Sequence, residues 1–450
     1  MKIQIPDKIK YIIDKFYQAG YEAFAVGGCV RDALLGLVPH DWDITTNATP
    51  DEIKDLFADY KIRDTGIRYG TVTLIYEGEA VEITAYRKEG GYTDNRHPEV
   101  ITYVPSLTED LKRRDFTINA MAYNDRVGLV DNHNGVADVQ NRIIRTVGNS
   151  RERLDDDALR ILRGLRFAAT LGFDIDSETA EQMHRCKDGL QKVSVERIKS
   201  ELHKIMLSKK PSRILSEFHD IFEVFIPELS AIIGLEQNHP YHCYDVFHHT
   251  LTALDNTPPD KIVRYSVFFH DFGKGFTKTT DKNGVDHFHG HPNVSRQIAM
   301  DIMKRLTFSR KTRERVALLV KYHDARIPCD VYNIKKWLNR FGAPFFRNLL
   351  LVKRADICGQ NPAYLDRLDK LPEYERLLNE ILAGKQCVNR KSLAINGNDL
   401  IQIGFRTDKK LGKTLDKLLE EVMKNEIPNE KAALLQEAQR LQHIKFKPDK

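Results

Sequence analysis

Phe24-Ala-Val-Gly-Gly-Cys-Val-Arg-Asp32, followed by Asp41-Trp-Asp43, is the stretch on which the reading of this chain turns. Glu22 to Val26 reads as a short strand, and Gly27-Gly28 lets the backbone turn tightly. Val30 to Leu35 then reads as a helix stopped by Gly36. A strand, a glycine pair and a helix start present N–H groups where an anionic phosphate would sit. Asp41 and Asp43 are two apart on an extended segment, so their carboxylates share a face while Trp42 points the other way. Two adjacent carboxylates repel unless a divalent cation neutralises them, and Mg2+ suits carboxylates combined with phosphate oxygens. Either half alone fits an ordinary glycine turn or an acidic loop. Together, in this order, they indicate a nucleotide-and-metal site.

Working outward, Ile9, Ile12, Ile13 and Phe16 keep one face of a first helix apolar, and Gly20 ends it. Thr49-Pro-Asp-Glu52 is a capping box with proline in the first turn. Thr71–Tyr76 and Ala80–Tyr86 alternate around Glu77-Gly78-Glu79 and predict a hairpin. Residues 87–98 (RKEGGYTDNRHP) are glycine-rich and polar, the composition of a mobile surface loop. Next, Leu111-Lys-Arg-Arg-Asp-Phe-Thr-Ile-Asn-Ala-Met-Ala122 offers guanidinium forks at Arg113 and Arg114, with Asp115 and Asn119 one helical turn apart. Seven arginines fall between Arg142 and Arg166. They end in a predicted helix over Asp156–Ala169 that sets Asp157 beside Arg160, with Arg163 one turn on.

The 450-residue chain has room for about three domains, and its net charge of +5 permits a polyanionic partner. No apolar run approaches membrane-spanning length, and the first residues lack the apolar core of a signal peptide. The six cysteines (29, 186, 243, 329, 358, 387) form no Cys-x-x-Cys pair, which predicts free thiols and a cytoplasmic setting.

The glycine pair with Val-Arg-Asp and Asp-x-Asp resembles the nucleotidyltransferase superfamily of DNA polymerase β. Within it, the pattern is similar to the class II tRNA nucleotidyltransferases and bacterial poly(A) polymerases. The resemblance implies a catalytic pair, Asp41 and Asp43, holding magnesium ions. Glu82 is then either a third carboxylate on a later strand or an ordinary solvent-facing glutamate. Gly27, Gly28 and Arg31 would cradle the nucleotide's phosphates, and Asp32 is a further nucleotide-binding residue. Arg114, Asp115 and Asn119 match the family's Arg-Arg-Asp-Phe-Thr-x-Asn-Ala motif, which assigns the ribose to Arg114 and Asp115. Asp157 and Arg160 match Glu-Asp-x-x-Arg, whose aspartate and arginine read the base of CTP or ATP, with Asp156 in the glutamate's place. Arg163 and Arg166 would serve the triphosphate. The loop looks full-length, with Arg87, Asp94 and Arg96 at matching positions, which weakens a reading limited to the two cytidines. Glu196, Arg197 and Glu201 resemble a last motif that braces the preceding helix.

A second constellation follows. His249, His270-Asp271, His291, His323 and Asp356 stand in an order that resembles the HD superfamily of helical, metal-dependent phosphohydrolases. The resemblance implies that His249, His270, Asp271 and Asp356 bind a divalent transition ion or Mg2+, while His291 and His323 add second-metal or phosphate contacts. His248 is an alternative to His249, and Asp324 a weaker one to Asp356.

The expected fold is α+β. A polymerase-β-like head with a small mixed sheet (1–145) precedes an all-α neck (146–207), an HD-type body (208–376) and a tRNA-binding tail (377–450). The expected activity is template-independent addition of CCA to tRNA from CTP and ATP, with metal-dependent phosphohydrolysis in the body. An A-adding enzyme and a poly(A) polymerase are the nearest alternatives. From other classes come an HD phosphohydrolase with a non-catalytic RNA-recognition head, and an RNA-binding protein without catalysis.

Overall fold

The computed structural model describes residues 2–64, 66–92 and 98–442. The chain divides into two compact units, one up to Ser230 with Arg305–Thr307, the other Ala231–Lys304 with Phe308 onward.

The first unit is built on a mixed sheet of seven strands. They are β1 (Ala23–Val26), β2 (Ile44–Thr46), β3 (Lys61–Arg63), β4 (Thr71–Tyr76), β5 (Glu79–Ala85), and, after a separate hairpin of β6 (Arg87–Tyr92) and β7 (Pro98–Tyr103), β8 (Met121–Asn124) and β9 (Gly128–Asp131). The order is β3-β4-β5-β2-β1-β8-β9, and every pairing is antiparallel except β2 with β5. β1 and β2 are buried throughout, so their sequences read as continuous apolar or threonine runs. The β4–β5 hairpin turns at Glu77 and Gly78, both at positive φ (50° and 82°), the handedness that matches strand twist.

Helix Asp7–Gln18 buries Ile9, Ile12, Ile13 and Phe16, the face its spacing predicts. The Thr49 capping box forms in both directions, Thr49 Oγ1 accepting from the Glu52 N–H and Glu52 from the Thr49 N–H. Residues 87–92 depart from the expected mobile loop: β6 and β7 make an antiparallel ladder, Arg87 opposite Tyr103. The β-favouring run Val100-Ile-Thr-Tyr103 supplies one side, and the glycines opposite accept it. Asp94 and Arg96 lie outside the described residues.

Beyond the sheet the unit is helical, chiefly Ser150–Asp156, Leu159–Leu171, Ser177–Arg185 and Val195–Met206. The predicted helix over 156–169 is interrupted. Asp157 takes an extended conformation (φ −141°, ψ 101°), and regular helix resumes at Leu159. The Asp157 carboxylate caps the new start by accepting from the Leu159 N–H at 3.0 Å.

The second unit is a stack of helices, among them Val246–Asp255, Lys261–Phe269, His291–Arg305, Arg310–Tyr322 and Ala343–Cys358. A smaller cluster around Leu400, Leu418 and Leu434 packs the last helices, Lys409–Met423 and Lys431–Gln442. Gly359 ends Ala343–Cys358 where a Cβ would lie 2.8 Å from the His249 carbonyl oxygen, so only glycine allows that approach. Among the described residues no helix is long and apolar enough to cross a membrane.

Candidate active site and metal centre

The carboxylates of the head are set by strand pairing. β2 and β5 run parallel with Ile44 opposite Ile83, so Asp43 and Glu82, one residue before each, are neighbours on the face opposite the buried isoleucines. Trp42 is buried and Asp41 exposed, as alternation requires. Burial raises the Asp43 carboxyl to about 6, with the negative charges of Glu82 and Asp41 adding to the rise and Arg114 opposing it. Three carboxylates with one nearby guanidinium leave negative charge uncompensated. That is a charge pattern a hard divalent cation would neutralise. A cleft of about 1080 Å3 opens on the Asp41 side, walled by Lys8, Val38, His40 and Glu79.

Gly27 joins this group to the nucleotide-binding residues. Its φ is +83°, and an added Cβ would sit 3.1 Å from Arg114 Nη1. Its N–H donates to the Met121 carbonyl, while the Val26 N–H donates to that of Asp43, so the turn is stitched to both neighbouring strands. Gly27→Ala is expected to cost about 1–2 kcal/mol in backbone strain and to displace Arg114. The checks are a lowered melting temperature and a raised KM for CTP.

Arg114 and Arg113 are held by Asp110, a fully buried carboxylate one helical turn before them, at 3.3 and 2.8 Å. Asp110 also accepts from Thr45 Oγ1, two residues along β2 from Asp43. Sequence reasoning missed Asp110, although its i, i+3 and i, i+4 spacing to two arginines was available. Arg31 lies between Asp32 (2.7 Å) and Asn119 Oδ1 (2.6 Å), its guanidinium over the Phe167 ring. Arg87 donates to the Tyr69 carbonyl.

Asp115 is fully engaged. It accepts from the Phe116 N–H and Asn119 on one oxygen, and from Arg163 Nε and Nη2 on the other at 2.7 and 2.6 Å. Burial alone would raise this carboxyl; the charge and hydrogen bonds of Arg163 override it and hold it at about 2. Its stabilising contribution is therefore complete above the ordinary carboxylate range and lost as pH falls through about 2. Asp115→Ala and Arg163→Ala are each expected to cost about 3 kcal/mol. The double variant should cost less than the sum, a coupling measurable by urea unfolding at neutral pH.

Asp157 and Arg160 do not pair with each other. Because the chain is extended at Asp157, its carboxylate turns to Arg197 Nη2 (2.9 Å), while Arg160 donates to the Arg153 carbonyl (2.7 Å) and lies 3.7 Å from Asp156. Arg166 is bound by Glu201 at 2.6 Å and stacks over Phe167. Arg163 and Arg166, which the sequence offers to a triphosphate, thus rest on carboxylates of the protein. Arg197 and Glu201 brace the helix Leu159–Leu171 from the helix Val195–Met206.

In the second unit, five elements bring histidines and aspartates to one buried point. His249 Nε2 and His270 Nε2 are 3.2 Å apart, and so are His291 Nε2 and His323 Nε2. In all four rings Nδ1 meets a backbone carbonyl: Gly359, Val267, Phe288 and Val320 respectively, at 2.6–2.8 Å. Each Nδ1 must then carry the proton, which turns four Nε2 lone pairs toward one another. Lone pairs facing at that distance repel unless a cation or a proton stands between them. Asp271 lies between the pairs, Oδ2 at 3.4 and 3.2 Å from His249 and His270, Oδ1 at 3.3 and 3.7 Å from His291 and His323. Asp356 Oδ1 completes the first set, 3.2 Å from His249. These groups have the spacing of metal ligands, and Asp271 belongs to both sets. His248 is exposed and bonded to Asp245, and Asp324 is exposed, so His249 and Asp356 are the members that converge. Burial would lower His270, but Asp271 and Asp356 override it and raise it to about 10, a proton standing in for the cation. Burial and the neighbouring His270 push His323 down to about 3, keeping its lone pair free.

Comparison with known proteins settles the family. Residues 23–145 match the family described as "Poly A polymerase head domain", 172–233 one described as "Probable RNA and SrmB- binding site of polymerase A", and 288–438 tRNA nucleotidyltransferase domain 2. The CCA-adding enzyme of Lactobacillus delbrueckii subsp. bulgaricus is 33% identical over 440 residues, 94% of this chain and 95% of the relative. This chain belongs to the CCA-adding enzyme family. The CCA-adding enzyme of Ligilactobacillus salivarius is 31% identical over 97% of this chain and 98% of its own. The crystal structure of the Bacillus stearothermophilus CCA-adding enzyme in complex with CTP superposes with a TM-score of 0.71 at 26% identity, covering 98% of this chain and 99% of that one. The Thermotoga maritima CCA-adding enzyme complexed with tRNA shares the fold (TM-score 0.62, 20% identity, 98% and 100% covered).

As a CCA-adding family member, the chain is a nucleotidyltransferase with an α+β fold whose head carries the mixed sheet expected from its sequence. Enzymes of this class use divalent metal ions.

Proposed function

We propose that this chain completes the 3′ end of tRNA in the cytoplasm, adding C, C and A from CTP and ATP without a nucleic-acid template. The convergence of Asp43, Glu82 and Asp41 beside the Gly27 turn and Arg114 carries the reading. Asp41 and Asp43, with Glu82, would hold Mg2+, which when bound lowers the charge on the triphosphate and favours ionisation of the tRNA 3′-hydroxyl. The Gly27-Gly28 backbone and Arg31 orient the phosphates so that the hydroxyl oxygen meets the α-phosphorus in line. The new P–O bond forms as the bond to pyrophosphate breaks. Arg114 adjoins the same turn and would reach the ribose with Asp115, which must first release one of its four donors. Asp157 and Arg160, a short turn apart, offer the acceptor and donor that a base edge needs, and Arg197 holds the acceptor in place. Arg163 and Arg166 would reach the phosphates only by leaving Asp115 and Glu201. Asp32 completes the nucleotide-binding residues, and Arg87, Asp94 and Arg96 belong to the loop that serves addition of the final adenosine. The organisation supporting this is head 1–145, neck 146–207, body 208–376 and a tail 377–450 whose lysines contact tRNA phosphates.

The test is extension of three tRNAs, ending before CCA, after C and after CC, resolved to single nucleotides with CTP and ATP separately and together. Two cytidines followed by one adenosine is the expected result. Adenosine added only to the CC-ended tRNA would make this an A-adding enzyme, and long adenosine tails a poly(A) polymerase.

The bridged cluster around Asp271 supports a second activity in the HD-type body, hydrolysis of a phosphate ester. There, His249, His270, Asp271, His291, His323 and Asp356 would hold divalent transition ions or Mg2+, which supply a hydroxide-like water at neutral pH. Hydrolysis there would join a water oxygen to phosphorus and release the ester oxygen as a hydroxyl carrying the water's proton. Phosphate release from 2′-phosphorylated or 2′,3′-cyclic RNA ends, together with a head that binds tRNA but adds nothing, would make this the principal activity.

A further inference from the structure

The loop 238–245 lies over the His/Asp cluster and carries groups that neither set of ligands uses. His242 stands edge-on to His249, ring centroids 5.2 Å apart, with its Nδ1 buried and without a partner in the protein. Tyr241 is 42% exposed, yet it is held from three sides. Tyr364 meets it in a T at 4.6 Å, His239 packs at 5.1 Å, and the Arg367 guanidinium lies 5.3 Å from its centroid. Its carbonyl accepts from the Asn361 N–H at 2.8 Å, and Asn361 Nδ2 donates to Pro240. Arg367 donates to Gln360 Oε1 at 2.6 Å, and Gln360 reaches Asp356 Oδ1. The aromatic surface is thus tied through two side chains to a carboxylate of the cluster.

An exposed ring immobilised in this way does nothing for the core. Its exposed ring surface, the Arg367 guanidinium over the ring and the cluster reached through the neighbouring His242 match the parts of a nucleotide: a base to stack on and a phosphate to bind. We propose that Tyr241 is a stacking ledge for the nucleobase adjoining the scissile phosphate, with His242 Nδ1 bonding to that phosphate or its ester oxygen. This inference rests on reading the cluster as a phosphate-ester hydrolase centre. Within the RNA-end substrates proposed above, it names the residue that holds the base. A stack reads the π face alone, so the four bases are accepted, purines better than pyrimidines.

The experiment compares phosphate release from adenosine 2′-monophosphate and from glycerol 2-phosphate with Mn2+, in wild type, Tyr241→Ala and Tyr241→Phe. The wild-type kcat/KM should favour the nucleotide by at least about tenfold, the scale of one base–ring stack. Tyr241→Ala should bring that ratio toward one through KM, and Tyr241→Phe should keep it. A ratio unchanged in Tyr241→Ala, or no preference in wild type, overturns the ledge. If neither ester releases phosphate, the hydrolase reading falls, and calorimetric titration with adenosine 2′-monophosphate and Mn2+ decides the ledge separately. A dissociation constant about tenfold weaker in Tyr241→Ala upholds it, since any binding elsewhere is common to both proteins; an equal constant overturns it.

Discussion

Asp43→Ala is expected to lower nucleotide incorporation by at least about a thousandfold, roughly 4 kcal/mol of barrier, while tRNA binding persists. Asp41→Ala should behave alike, because the two carboxylates share a face and, in the proposed reading, a cation. Single-turnover extension of a CC-ended tRNA beside a gel-shift titration separates chemistry from binding. Retained incorporation in Asp43→Ala would show that the metal site lies elsewhere. The raised Asp43 value adds a pH signature. With its pKa lifted to about 6, the carboxyl prefers to stay protonated until that pH, so protons compete with the cation below it. The metal concentration giving half-maximal extension should rise as pH falls from 7 to 5. In the metal-free protein the ionised Asp43 works against folding: stability should fall as pH climbs from the ordinary carboxylate range through about 6, and added Mg2+ should restore it. Thermal unfolding with and without the ion reads this directly.

The second large effect is expected in the other unit. Asp271→Ala removes the one carboxylate common to both ligand sets, so metal retained after desalting should fall to background, and phosphate release by more than about a hundredfold. Asp271→Asn keeps the volume without the charge and should give the same loss, which separates ligation from packing. Mass-spectrometric metal content is the measurement, with tRNA extension in the same preparation reporting that the head is folded. Metal retained at the wild-type level in both variants would remove Asp271 from the site.

Why some of this was readable and some was not follows from the range of the forces involved. The Gly27 turn, the Thr49 cap and the Asp41/Asp43 face are local geometry, set by a few consecutive residues, and the sequence displayed them directly. The placement of Glu82 was open because it depends on β5 lying beside β2, a pairing between segments some forty residues apart that alternation does not encode. The break at Asp157 was hidden for the opposite reason. The apolar spacing continues through it, and only the distant Arg197, which draws the carboxylate away, makes the extended conformation visible. The hairpin of β6 and β7 is hidden because its glycine-rich half carries no periodic signal. The histidine and aspartate stations were legible as an ordered set. Their division into two pairs about Asp271 needed coordinates, since it turns on which carbonyl each Nδ1 meets.

The parallel run of β2 beside β5 carries a consequence for how such an enzyme can vary. Strands that run the same way cannot be joined by a tight turn, so the chain must travel the full length back, and here it does so through helix Pro50–Leu56 and strands β3 and β4. The spacing of Asp43 and Glu82 is then guarded by the ladder between two buried strands, and the excursion has no say in it. The exposed turn at Ala58 and Asp59, unlike the buried Ile53 and Phe57 beside it, becomes a place where insertions and deletions can accumulate across generations without touching the carboxylates. A one-residue slip within β5 would instead turn Glu82 to the far side of the sheet and be eliminated at once.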